Sequence, residues 1–323
     1  MRLCLAALAA FTLWSTPQQK FRVSVDAVRV DVLVMDGRNP VGGLTAANFE
    51  LRDNGVPQQI ESVAFEDVPL SVMLALDTST SVDGLPLTHL KEAASAVVGL
   101  LAPADRAALM TFTGALRLRT PWTSDRAALE AGIAATEASG STTLHDAAYA
   151  ALTLRDPQPG RALILIFSDG ADTTSWLPGK NVIDVAQRNE AVVYAVTLNT
   201  QPGPVTRSGR GPFGSTLTPA AEPASGYRLD FRSGIQDTIR DAPTATLLEP
   251  FLDALANETG GKVVNAERSD RLRDTFVQIV REFRSRYLLT YTPRGVDAGG
   301  WHPLEVKLKG RRGKVTARRG YLR

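Results

Sequence analysis

Leu70-Ser71-Val72-Met73-Leu74-Ala75-Leu76 runs without interruption into Asp77-Thr78-Ser79-Thr80-Ser81, and that junction limits the folds open to this chain. A stretch that is apolar at odd and even positions alike reads as a strand buried on both faces. In open sheets of buried strands, ligands collect at the carboxyl edge. Asp77, Ser79 and Ser81 therefore emerge at a ligand-facing edge as one carboxylate and two hydroxyls, all hard oxygen donors. Their spacing suits a divalent cation, because Mg²⁺ takes near-octahedral oxygen ligation and keeps several waters, so few protein ligands suffice. Asp-x-Ser-x-Ser alone also reads as a turn or a helix cap.

Two further segments offer donors of the same kind. Arg161-Ala162-Leu163-Ile164-Leu165-Ile166-Phe167-Ser168-Asp169 is a second apolar strand ending in a carboxylate. Gly140-Ser141-Thr142-Thr143 places hydroxyls just before a helical pattern. Together the three segments resemble the von Willebrand factor A-type domain, whose metal-ion-dependent adhesion site combines Asp-x-Ser-x-Ser, a loop Thr and a strand-end Asp. The resemblance implies a metal site of Asp77, Ser79, Ser81, Thr142 and Asp169. It implies that the three hydroxyls ligate directly and that the two carboxylates act mostly through bound water. One coordination position is then left for an Asp or Glu of a protein partner. Mg²⁺ or Mn²⁺ is the expected cofactor, since Ca²⁺ wants more ligands than this set supplies. Asp83 and Asp172 lie near these residues in the sequence, either in the metal shell or as solvated loop carboxylates.

Beyond Leu70, strand patterns alternate with amphipathic helix patterns, the mark of a parallel sheet covered on both faces. Helices are predicted over 87–101, 126–136, 144–154, 182–189, 247–257 and 271–286, with strands over 107–112, 116–121, 163–167, 192–198 and 262–265. The segments on either side read as β. Val28, Val30, Val32 and Val34 alternate with Arg29 and Asp31 as in a half-buried strand. Phe49 to Arg52 and Ile60 to Val63 flank Asp53-Asn54-Gly55, a hairpin signal. Strands follow over 287–291, 303–309 and 314–318. The expected fold is thus α/β, with a doubly wound, mostly parallel sheet inserted into a small β-sandwich built from both ends of the chain. The divisions are 1–19, 20–66, 67–286 and 287–323. Val41-Gly42-Gly43-Leu44-Thr45 with Phe49-Glu50-Leu51, and Tyr287-Leu288-Leu289 with Ala317-Arg318-Arg319-Gly320-Tyr321, also resemble bacterial secreted proteins related to von Willebrand factor A.

Met1-Arg2 and the apolar stretch that follows, as far as Trp14, have the order of a secretory signal; no later segment is long enough to span a bilayer, so a secreted, periplasmic or cell-envelope location is expected. A formal net charge of +2 over 323 residues gives no footprint for nucleic acid. Lys307, Lys309, Arg311, Arg312, Lys314, Arg318 and Arg319 alternate with apolar residues and read as a solvated strand face. Cys4 is the single cysteine, so a chain cut after it carries neither disulfide nor thiolate ligand. His89, His145 and His302 read as structural or exposed, and no nucleophile elbow, phosphate loop or His-Glu-x-x-His helix is present. The reading is a binding module with no enzymatic activity. A metal-dependent envelope hydrolase and an intracellular assembly factor are the alternatives. The Gly- and Pro-rich segment 200–246 is expected to leave the sheet at the carboxyl edge and to control access to the metal.

Overall fold

The computed structural model describes residues 27–66, 68–158, 160–169, 172–198 and 249–323. The expected leader and the 200–246 segment lie outside the described residues. Alternating valines form β1 (Val28–Asp36), with Val30, Val32 and Val34 buried on one face, and a turn leads into β2 (Asn39–Pro40). β3 (Phe49–Asp53) turns through Asn54 and Gly55 into β4 (Val56–Gln58). Both turn residues have positive φ, 50° and 77°, which is why an Asn-Gly pair fits a two-residue hairpin there. β5 (Ile60–Phe65) then leaves for another sheet, so the hairpin expected to join it to β3 is instead closed by β4.

From Leu70 the chain runs β6 (Leu70–Asp77), α1 (Leu85–Leu100), β7 (Arg106–Phe112), β8 (Leu116–Thr123), α2 (Arg126–Ala134), α3 (Leu144–Thr153), β9 (Arg161–Ser168), α4 (Gly179–Ala186) and β10 (Val192–Leu198). It continues with α5 (Glu249–Thr259), β11 (Lys262–Ala266) and α6 (Leu272–Arg284). The sheet order is β11-β10-β9-β6-β7-β8. Its neighbours are parallel except β8, which follows β7 through a turn too short for a crossover and so pairs antiparallel. Both faces of β6 are buried. Val72, Leu74 and Leu76 pack with Leu90 and Val97 of α1, Leu129 of α2 and Phe276 of α6. Met73 and Ala75 pack with Ala148 of α3, Val182 of α4 and Leu252 of α5. Each fully buried Leu or Phe contributes about 2 kcal/mol, so β6 is anchored from both sides. α4 sits earlier than expected because Asn189 is drawn out of the helix: its side chain donates to the Leu152 carbonyl and accepts the Ala191 N–H.

The chain ends in β12 (Tyr287–Tyr291), β13 (Trp301–Leu308), β14 (Lys314–Thr316) and β15 (Gly320–Leu322), the last not foreseen from sequence. These strands interleave with the first ones in two antiparallel sheets, β14-β1-β12-β5 and β15-β13-β3-β4. Val30, Val32, Phe49, Leu51, Tyr287, Leu289 and Tyr291 share one apolar cluster. The Tyr287 hydroxyl donates to the Val41 carbonyl at 2.8 Å and accepts the Leu44 N–H at 3.1 Å, joining the two sequence motifs singled out at the ends of the chain.

Two expectations need correction. The polar face of β1 is not solvated throughout: Asp31 is buried against Arg161 of β9, whose Nε donates to Asp31 Oδ1 at 2.8 Å and whose guanidinium lies over the Phe283 ring. Nor is the whole basic run exposed, because Arg318 is buried and donates to the Gly320 and Gln187 carbonyls. Burial lowers its pKa. In both cases the β-rich ends face the central sheet domain and not water. Among the described residues, no helix is long and apolar enough to cross a membrane.

Candidate metal centre

Parallel pairing sets the carboxyl ends of β6 and β9 side by side, with Leu76 opposite Phe167. Asp77 is therefore carried to the sheet edge while remaining fully buried. Its Oδ1 accepts the Ser79 N–H at 2.9 Å and its Oδ2 accepts the Ser168 hydroxyl at 2.7 Å. A single 3₁₀ turn over Thr80–Val82 swings the chain back, so that Ser79 Oγ meets Ser81 Oγ at 3.0 Å and Ser81 Oγ donates to Asp169 Oδ1 at 2.9 Å. Ser79 and Asp169 are buried, whereas Ser81 is exposed, so the group opens to solvent at Ser81.

Thr142 reaches the same edge on a separate loop. The Ser139 N–H donates to the Thr78 carbonyl at 2.8 Å, and the Thr80 N–H to the Gly140 carbonyl at 3.0 Å. Thr142 itself is buried, with its N–H on Thr173 Oγ1 and its carbonyl accepting from the N–H groups of Thr173 and Thr174. All five sequence-predicted residues thus come to one edge. Four are linked by hydrogen bonds among themselves and the fifth through its loop.

Burial pushes the Asp77 carboxyl up to about 6, opposed by the hydrogen bonds from Ser168 and Ser79 and reinforced by the charge of Asp169. Burial also raises Asp169, against the hydrogen bond from Ser81. Two carboxylates that burial disfavours as anions, together with hydroxyls, make an oxygen-only donor set that hard divalent cations accept. Among the described residues no three His, Cys, Asp or Glu side chains converge. A site here rests on hydroxyls as much as on carboxylates.

Asp172 is a brace. Its Oδ1 accepts the Leu144 and His145 N–H groups at the start of α3, at 2.8 and 3.3 Å, and also the Ser175 hydroxyl. Asp83 is exposed and accepts the N–H of Gly84. The His145 Nδ1 lies 3.2 Å from the Leu177 carbonyl and its ring packs on Phe251, a structural role. Sequence reasoning missed Ser168 and Asp146. Ser168 stands next to the strand-end Asp, and Asp146 occupies the first helical turn, where a carboxylate is favoured. Asp146 accepts the Trp176 and Leu177 N–H groups at 3.0 and 2.9 Å, which ties the loop after β9 to α3.

Residues 72–171 match the family described as von Willebrand factor type A domain. The chain carries a von Willebrand factor A domain. The match begins inside β6 and ends just past β9, so it contains all five residues of the A-domain edge described above. Several solved structures are similar at low identity. The hypothetical protein BatB from Bacteroides thetaiotaomicron is 20% identical, covering 66% of this chain and 98% of its own, with a TM-score of 0.45. The von Willebrand factor type A protein from Catenulispora acidiphila is 13% identical, covering 90% and 75%, with a TM-score of 0.49. Proximal thread matrix protein 1 of the mussel byssus, solved with zinc in its adhesion-site motif, is 12% identical, covering 71% and 49%, also at 0.49. None of the curated proteins compared with the chain matches it. The assignment of the A domain rests on the match over 72–171.

Proposed function

We propose that this is a binding protein whose A domain holds a divalent cation through Asp77, Ser79, Ser81, Thr142 and Asp169 and uses it to grip a carboxylate of a protein partner. The observation that carries this reading is the linked group Asp77–Ser79–Ser81–Asp169 at the carboxyl edge, where burial disfavours both carboxylates as anions. A bound Mg²⁺ or Mn²⁺ would neutralise that charge and offer a coordination position to an Asp or Glu from outside. The chain's own residues would orient the ion and exclude other ligands. The A domain is read as a doubly wound unit inserted into a split β-sandwich, formed by the two terminal sheets around their shared cluster. The start of the sequence supports a secreted or envelope location, and the hydroxyl-rich site supports binding without catalysis.

Isothermal calorimetry on the metal-free protein tests the reading. Mg²⁺ should bind the wild type with modest affinity and fail to bind Asp77→Ala or Asp169→Ala. Unchanged affinity in either variant would sink the assignment.

A further inference from the structure

Trp176 is 93% exposed, although an indole is among the side chains that gain most from leaving water. The loop that carries it is held in place. The Trp176 and Leu177 N–H groups bond to the two oxygens of Asp146, and the Ser175 hydroxyl bonds to Asp172. Thr173 and Thr174 donate to the carbonyl of Thr142, and Thr174 Oγ1 lies 3.1 Å from Ser141 Oγ. The backbone at Trp176 is thus anchored to α3 and to the segment that brings Thr142 to the sheet edge, so the position from which the indole projects is set.

A second apolar side chain is presented in a similar way. Leu85 is 71% exposed at the first position of α1. Gly84, just before it, has a φ of 77°, a conformation that turns the chain sharply out of the Asp77–Ser81 loop. Of the three loops that make the candidate centre, the first thus leads into Leu85 and the third carries Trp176. A large aromatic side chain with only two χ angles on an anchored backbone loses little conformational entropy when covered, which is why such residues serve as binding hot spots.

We propose that Trp176, assisted by Leu85, is a recognition subsite for an apolar side chain that flanks the partner's carboxylate. This face then selects extended protein segments in which Asp or Glu is next to a large aliphatic or aromatic residue, and it discriminates against acidic segments with polar flanks. The inference rests on the metal-bridged reading given above. The metal supplies attachment to the carboxylate, and Trp176 supplies the choice among carboxylates.

The test uses the full ¹⁵N-labelled chain with Mg²⁺ and two probes, N-acetyl-Leu-Asp-Leu-amide and N-acetyl-Ser-Asp-Ser-amide. The Trp176 indole resonance is assigned by its disappearance in Trp176→Phe. The Leu peptide should bind about fivefold or more tightly than the Ser peptide and shift that resonance. In Trp176→Ser the two peptides should bind alike, with Mg²⁺ affinity by calorimetry unchanged. Equal affinities in the wild type, or a preference that persists in Trp176→Ser, would overturn the subsite. Mg²⁺ binding with no response to either peptide would overturn it too, leaving the metal assignment standing. A Leu preference that survives both chelation and Asp77→Ala would instead uphold the subsite and remove the metal bridge.

Discussion

Asp53 and Asp77 each close a strand and are each cut off from solvent, but their surroundings differ. Asp53 lies between the terminal sheets and accepts from His302 Nδ1 at 2.8 Å and from the hydroxyls of Tyr291 and Tyr321 at 2.8 and 2.9 Å. These donors come from β12, β13 and β15, and the His302 ring stacks on Tyr321. Burial, together with the neighbouring carboxylate, pushes the Tyr321 hydroxyl up to about 12 and raises Tyr291 further. Asp77 takes one N–H and one O–H, stands close enough to Asp169 to feel its charge, and belongs to a group that opens at Ser81. A carboxylate surrounded by three donors is a structural pin. A second one, paired with another carboxylate at a sheet edge, has unmet negative charge, which is the ground for the cation proposed above.

The widest separation between the two regions should follow from deleting 287–323, which removes β12 and β14 from one terminal sheet and β13 and β15 from the other. Residues 27–66 should then become protease-sensitive, because the apolar face of β1 loses its cover, while Mg²⁺ binding by the A domain persists. Limited proteolysis that leaves 27–66 as resistant as in the whole chain would show that the terminal segments do not depend on each other.

Single substitutions sharpen the contrast. Asp53→Ala strands a buried imidazole and two buried hydroxyls and should cost about 3–5 kcal/mol in chemical denaturation, without altering Mg²⁺ affinity. Asp77→Ala, measured in chelator at pH 7, should stay within about 1 kcal/mol of wild type, because at that pH it also removes a charge that burial disfavours. Its stability should no longer respond to Mg²⁺. Comparable losses in the two variants would mean that Asp77 is a pin as well.

The remaining contrast is in pH. The Asp77 pKa rises from 3.8 in the unfolded chain to about 6 in the fold, so the native state holds this proton more tightly. Its contribution is therefore most favourable below the unfolded value and is lost as pH climbs toward about 6, by up to about 3 kcal/mol in chelated protein. The stability difference between wild type and Asp77→Ala isolates this slope. Added Mg²⁺ should cancel the loss at pH 7 and bind progressively more weakly below about pH 6, as protons compete. A difference that stays flat from pH 4 to 7 would place Asp77 in a more polar setting.

Features set by residues close in the chain are legible in the sequence. The apolar run into Asp77 marks a doubly buried strand, the run into Ser168 and Asp169 marks a second, and helical periodicity locates α1 to α3 to within a few residues. The Asn54-Gly55 turn is also legible, but not its partner strand, since β4 is only three residues long and the more conspicuous β5 belongs to another sheet. Ser168 and Asp146 escape notice because their roles depend on loops that meet only after folding.

By itself, the sequence determined an A-type α/β core, the edge on which Asp77, Ser79, Ser81, Thr142 and Asp169 gather, and the β character of both ends, since periodicity and turn chemistry act over a few residues. Tertiary structure decided which polar groups are buried and what they meet. Asp31 finds Arg161 across 130 positions and Asp53 finds His302 across 249. Local patterning marks such residues as solvent-facing, because an isolated strand cannot show that its polar face will be covered. Only when sheets dock must a buried charge or donor find its partner.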